Sequence, residues 1–184
     1  SITPPADFNL NQGDLDFDAK LTTYVPSGVR NEATIEPGAS FEVQPVSDEP
    51  DISISAPAVN EGSDLAFTVD IGNEADAPNW SLVDGRLYLQ LDESGISGTG
   101  ELKQGGTTLG TTSVSGVSGI DDGSYYVIDG VNPNDSVSLT YTPATEYMGG
   151  SVGLSAWAQS QENGSTEIKT GTASTAGQIN PVNS

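Results

Sequence analysis

The side chains able to do chemistry in this sequence are almost all carboxylates. Its 184 residues include 26 Asp and Glu against 5 Lys and Arg, a formal charge of 5 − 26 = −21, with neither His nor Cys. Imidazole bases, Ser-His-Asp triads, Cys nucleophiles, disulfides and Cys/His zinc sites are therefore excluded. Any metal must be held by oxygen. The densest group is Asp48-Glu49-Pro50-Asp51, where Pro50 imposes an extended backbone on its acidic neighbours. Carboxylates about 4 Å apart repel by roughly 1 kcal/mol in water and roughly 4 kcal/mol near a protein surface, so this segment calls for a counter-charge. Ca²⁺ suits it better than Mg²⁺: it takes roughly six to eight oxygens in loose geometry, and extracellular modules bind it at about 0.1–1 mM.

Further acidic residues fall where turns are expected. Glu61 lies in Asn60-Glu61-Gly62, Asp121 and Asp122 precede Gly123, Asp129 and Asp135 flank Val131-Asn132-Pro133-Asn134, and Glu162 and Glu167 bracket Asn163-Gly164. Singly, each also reads as a solvated turn carboxylate or an Asx turn. Together they lead to the expectation of several bound Ca²⁺ ions, because self-repulsion at this charge destabilises a compact chain unless cations offset it. Neither an EF-hand loop nor a glycine-rich nonapeptide array occurs. Halophilic or marine adaptation, with carboxylates holding only water and monovalent ions, is the competing source of the charge. The five basic residues (Lys20, Arg30, Arg86, Lys103, Lys169) are scattered, so phosphate backbones and anionic lipid surfaces are poor partners.

The elements that must carry these groups are strands. Apolar residues alternate in short runs bounded by Gly, Pro, Asn and Asp, near 15–23, 40–46, 52–56, 64–72, 86–92, 124–129, 136–142, 151–160, 166–173 and 176–180. The Gly/Ser/Thr-rich stretch 94–119 reads as a pair of weak edge strands turning at Gln104-Gly105-Gly106. No segment carries an apolar stripe at helical spacing, and there is no run of 18 apolar residues. The fold class is all-β: an Ig-like, cadherin-like Greek-key β-sandwich.

An internal repeat organises the chain. Ile2-Thr3-Pro4-Pro5-Ala6-Asp7-Phe8 lines up with Tyr141-Thr142-Pro143-Ala144-Thr145-Glu146-Tyr147, Leu15–Ala19 with Val152–Ala156, and Phe41–Ser47 with Gly177–Asn183. Residues 1–47 thus read as the last third of a sandwich module, 48–51 as an acidic linker, and 51–184 as a complete module. The start inside a strand-like run, without Met, reads as a segment of a longer protein.

These residues resemble a family. Pro45-Val46-Ser47-Asp48-Glu49-Pro50, echoed by Pro181-Val182-Asn183-Ser184, resembles the P-V-N-D-x-P junctions of giant bacterial cell-surface adhesins of the repeats-in-toxin (RTX) type. Asp122–Tyr125, Leu139–Ala144 and Ser160–Ser165 look like modules near the ligand-binding end of those adhesins. The resemblance covers nearly the whole chain through short motifs. It implies a secreted, extracellular, calcium-rigidified, non-enzymatic module that spaces or presents ligand-binding units in cell or surface attachment. Its partners would be neighbouring modules and a glycan or peptide on a host or other cell surface, the alternative role being a carbohydrate- or peptide-binding receptor module with a calcium-assisted pocket. A sandwich split by an inserted sugar-binding domain, known in the family, would account for the orphan third at 1–47. Cadherin-like sandwiches place inter-domain calcium ligands where Asn60-Glu61-Gly62 and the acidic linker stand.

A receptor-binding unit needs a pocket, and the loop Gly72–Trp80 offers one: Asp76, Asn79 and Trp80 are the candidate ligand-binding residues, Trp80 by stacking on a sugar or packing an apolar group. Alternatively, Trp80 plugs the sandwich edge. A glycoside hydrolase or accessory domain is the remote alternative, since two carboxylates suffice for that chemistry but no pair stands out and only two Trp are present. Trp157 stands on the face opposite Leu154, Ala156 and Ala158, as a second-face core residue or an exposed aromatic, and Tyr125 and Tyr126 are expected to point to opposite faces, so that only one of them can be core.

Overall fold

The computed structural model describes residues 19–24, 30–35, 46–72, 80–144 and 149–182. The chain forms two compact units, Ser1–Pro45 and Val46–Ser184. In the first, β1 (Ala19–Tyr24) pairs antiparallel with β2 (Arg30–Ile35), Ala19 opposite Ile35. The expected strand near 15–23 overlaps β1, and β2 was not expected. The expected strand at 40–46 and the first halves of the repeat lie almost wholly outside the described residues.

The second unit is an all-β sandwich of two sheets. One sheet holds β3 (Asp51–Ser55), β5 (Leu65–Gly72), β11 (Ser136–Thr142), β7 (Glu101–Gln104) and β8 (Thr107–Thr108), in that order. The other holds β4 (Val59–Asn60), β13 (Lys169–Asn180), β12 (Gly150–Glu162), β6 (Trp80–Asp92), β10 (Gly123–Asp129) and β9 (Thr111–Val114). Alternation makes the core: Leu65, Phe67, Val69 and Ile71 of β5 face Leu154, Ala156 and Ala158 of β12 across the two layers, with Val137, Leu139 and Tyr141 of β11 beside them. Burying one such side chain stabilises by about 1.5–3 kcal/mol. The first two strands of this unit join one sheet each. β3 pairs antiparallel with β5, the chain then crosses at Ala56-Pro57-Ala58, and β4 pairs parallel with the end of β13.

The hairpin expected at Gln104-Gly105-Gly106 is present: Lys103 opposes Thr108, and Gly105 and Gly106 both have positive φ (55° and 83°), the requirement of a type I′ turn. Two expected boundaries differ. β13 is one continuous strand where two short ones were expected. β6 begins at Trp80, six residues before the alternation at Arg86-Leu87-Tyr88 becomes regular, because it carries a bulge. Ala158 opposes Leu87 but Ser160 opposes Leu82, so the turn-like excursion Val83–Arg86 faces Gln159 alone, with Asp84 at φ 57° and Gly85 at φ 60°. The Val131 N–H donates to the Gly85 carbonyl at 2.9 Å and fixes the excursion.

Tyr125 and Tyr126 correct a sequence expectation. They do point to opposite faces, yet both are covered: Tyr126 packs against the main core and Tyr125 is 2 % exposed in a second cluster with Tyr88, Val114 and Ile120. The cause is the segment 114–122, which folds back over the outer face of the six-stranded sheet. The Ser118 carbonyl accepts from Gln159 Nε2 (2.7 Å) and Thr170 Oγ1 (2.8 Å), and the Gly116 N–H donates to Asp122 Oδ1 (2.9 Å). Trp157 belongs to this outer cluster, edge-on to Tyr125 with ring centres 5.5 Å apart.

Candidate functional site

The acidic segment 46–51 is a strap packed onto the second unit. Ser47 is 1 % exposed: its Oγ accepts from the Glu162 N–H at 2.9 Å and donates to the Glu167 carbonyl at 2.7 Å. Ser160 Oγ donates to the Asp48 carbonyl, and Pro50 is buried against Gly171. Backbone and small side chains thus anchor the strap to the β12–β13 end, which leaves the side chains of Asp48, Glu49 and Asp51 exposed. They border an open groove of about 560 Å³ lined by Asp48 to Ile52, Gly171 and Thr172.

Part of the counter-charge comes from the chain itself. Lys169, at the start of β13, meets Glu167 at 2.7 Å, and its pKa is raised first by that contact and further by Glu49 and Asp48. Replacing Lys169 by Met is expected to lower the melting temperature slightly at low salt. The difference should vanish near 1 M NaCl, where the Debye length falls to about 3 Å; a salt-independent difference would assign Lys169 a packing role instead.

The remaining predicted calcium ligands are dispersed. Glu61 stands at the opposite end of the sandwich, accepting from the Val182 N–H at 3.2 Å. The 12 residues of β13 separate that end from the strap by roughly 36 Å. Asp129 Oδ1 accepts from Arg86 Nε at 2.8 Å, and Asp135 Oδ2 accepts from the Asn132 N–H at 2.8 Å, closing its own turn. Asp122 holds Gly116, while the Asp121 carbonyl accepts from the Tyr125 hydroxyl at 2.8 Å. Glu162 is 4 % exposed at the end of β12, and Glu167 is engaged by Lys169. Among the described residues no three Asp or Glu side chains gather as a metal cage would require. Asp122 and Asp135 do what turn carboxylates do: each accepts a local N–H bond.

Trp80 stands at the sandwich edge at the start of β6. It packs partly against the main core and also lines a groove of about 380 Å³ with Ser81, Gln161, Glu162 and the turn 163–165. Asp76 and Asn79 lie outside the described residues. A third groove, about 390 Å³, opens on the outer face of the six-stranded sheet beside Arg86, Tyr88, Val127 and Asp129. The sequence reading missed it; its signal was Asp84-Gly85 interrupting an alternating run, the mark of a bulge.

No family profile matches the sequence, and no curated protein matches it. Among solved structures the chain is similar to the cohesin module from Clostridium perfringens ATCC13124 family 33 glycoside hydrolase. The identity is 14 % over 73 % of this chain and 98 % of that one, with a TM-score of 0.39. So distant a likeness carries no functional argument. What the site can do follows from its own chemistry: open grooves, exposed carboxylates at both ends, and no side chain of the His or Cys type to drive nucleophilic catalysis.

Proposed function

We propose that the second unit is a non-enzymatic spacer module of a secreted bacterial cell-surface adhesin, stiffened by Ca²⁺ at its two ends. One observation carries this reading. The chain enters at the strap and leaves after β13 at the opposite end, and its first two strands are hydrogen-bonded one into each sheet. Tension applied between the ends loads the parallel β4–β13 pair and the β3–β5 ladder in shear, so many bonds must yield together. That is the mechanical requirement of a spacer.

Calcium is proposed at the ends because the carboxylates there outnumber Lys169. Gly72 and Trp80, the flanks of the segment carrying Glu74 and Asp76, also lie at the strap end, opposite Asp51 and Glu162 respectively. The carboxylates described within this one unit do not fit a closed cage. Ca²⁺ accepts carbonyl oxygens and water beside carboxylates, so the proposal asks only for open sites.

Melting of the 184-residue chain in excess EDTA and in 2 mM CaCl₂ tests the proposal. The expected result is a melting temperature several degrees higher with calcium, in line with stabilisation by a ligand that binds only the folded state. Identical curves would overturn the calcium reading and leave the charge to salt adaptation.

A further inference from the structure

We propose that the groove at Arg86 is a binding site for a neutral saccharide. The bulge in β6 builds it. Asp84 holds a left-handed backbone, uncommon for a residue with a side chain, and bulges of this kind re-aim side chains near functional sites. Beyond the excursion Arg86 and Tyr88 share the outer face, where Arg86 opposes Asp129 and Tyr88 opposes Val127. The guanidinium is held in place by Asp129 (2.8 Å) and Asp84 (3.4 Å), and a further hydrogen bond that it donates to the Tyr88 side chain helps to raise its pKa.

Two hydrogen bonds from Arg86 to carboxylates leave other N–H donors of its fork, while Asp129 keeps acceptor capacity beside them. A sugar hydroxyl both donates and accepts, so neighbouring hydroxyls match such a fixed donor–acceptor pair. The rest of the lining suits the same ligand. Tyr88 and Val127 give an apolar floor backed by the Tyr125–Trp157 cluster, Thr112 adds a hydroxyl from the same face, and Ser113 and Ser115 border one wall. A volume of about 390 Å³ falls in the usual range of small-molecule sites, about 300–1,000 Å³.

Other ligand classes fit less well. An anion would meet Asp84, Asp129 and a chain of charge −21. A metal ion would meet Arg86 between the same two carboxylates. A wholly apolar molecule would leave the Arg–Asp pair desolvated and unmatched. The inference builds on the non-enzymatic reading, in that the groove binds without converting, but it stands independently of calcium at the ends.

The test is a glycan array of neutral and acidic oligosaccharides probed with the intact 184-residue chain in calcium, followed by titration calorimetry on the best neutral ligand. Expected is binding to at least one neutral glycan, weakened tenfold or more by Thr112→Trp, which fills the groove from an exposed strand position, and by Arg86→Gln. Thr112→Trp should melt with the parent, and Ser165→Trp in the Trp80 groove should bind as the parent does. Binding of acidic glycans only, no glycan binding, or loss through Ser165→Trp with Thr112→Trp unaffected would each overturn the proposal. None of these outcomes bears on the chelator melt, so the two proposals fail separately.

Discussion

Gly171→Ala is expected to cost about 1–3 kcal/mol, roughly 2–12 °C in melting temperature for a domain of this size, although it adds one methyl group. Gly171 sits on the inner face of β13, opposite Ala158 of β12, where the strap crosses toward the other sheet. A Cβ there would overlap the Pro50 carbonyl oxygen and lie 2.9 Å from Pro50 Cγ and 3.1 Å from its carbonyl carbon. Those atoms are backbone and a rigid ring, so no flexible side chain can give way. Relief requires lifting the strap, which strips Ser47 from the Glu162 N–H and the Glu167 carbonyl and Asp48 from Ser160. Gly110→Ala is the control, since nothing lies within 4 Å of its Cβ position and its φ is not in the left-handed region. Thermal melts of the two variants should separate clearly, and hydrogen exchange should show the 46–51 amides opening in Gly171→Ala alone. Coincident melts would mean that the strap does not rest on Gly171 as described.

This contact also marks how far sequence can take the argument. Strands with one core face were legible because a period of two writes burial into the sequence: Leu65-Ala66-Phe67-Thr68-Val69 and Val152-Gly153-Leu154-Ser155-Ala156 could hardly be read otherwise. The Gly105-Gly106 turn was legible for the same local reason. What was not legible depends on meetings between distant segments. Ser47 is a small polar residue among carboxylates, and only the fold shows that it closes bonds to residues 115 and 120 positions away. The outer cluster escaped because Val114 and Ile120 sit in a Gly/Ser-rich stretch with no alternation, although they cover Tyr88 and Tyr125. The acidic residues were legible as turn residues but not as partners. Whether Asp129 faces a cation from solution or Arg86 is decided by strand register, which their spacing does not encode.

Tyr141→Phe should cost about 1.5–3 kcal/mol, the range for hydrogen bonds to charged groups, because it removes a part-buried hydroxyl bonded to a carboxylate. Tyr141 is 0 % exposed in the middle of the five-stranded sheet, and its hydroxyl donates to Glu93 Oε1 at 2.5 Å. Glu93 follows β6 of the other sheet and its same oxygen accepts the Gly100 N–H at 2.6 Å, so one carboxylate ties both sheets to the loop 93–100. Phe in place of Tyr fills nearly the same volume but leaves a part-buried carboxylate short of one donor. Glu93→Ala should cost more, since it also strips the Gly100 N–H of its acceptor, and the double variant should cost little more than Glu93→Ala alone, because both substitutions remove the Tyr141–Glu93 bond. The pair also has a pH signature. Burial first, and then the bond and charge of Glu93, push the Tyr141 phenol well above its ordinary value of about 10. A raised folded-state value contributes stability that is fully present below about pH 10 and is lost as pH rises through the folded value, since the unfolded chain releases its proton first. Desolvation raises Tyr125 and Tyr126 in the same direction. Melting temperature should therefore fall steeply above about pH 10, and Tyr141→Phe, less stable at pH 8, should lose less across that range than the parent. Equal slopes for parent and variant would show that Tyr141 is not the group whose ionisation opens the fold.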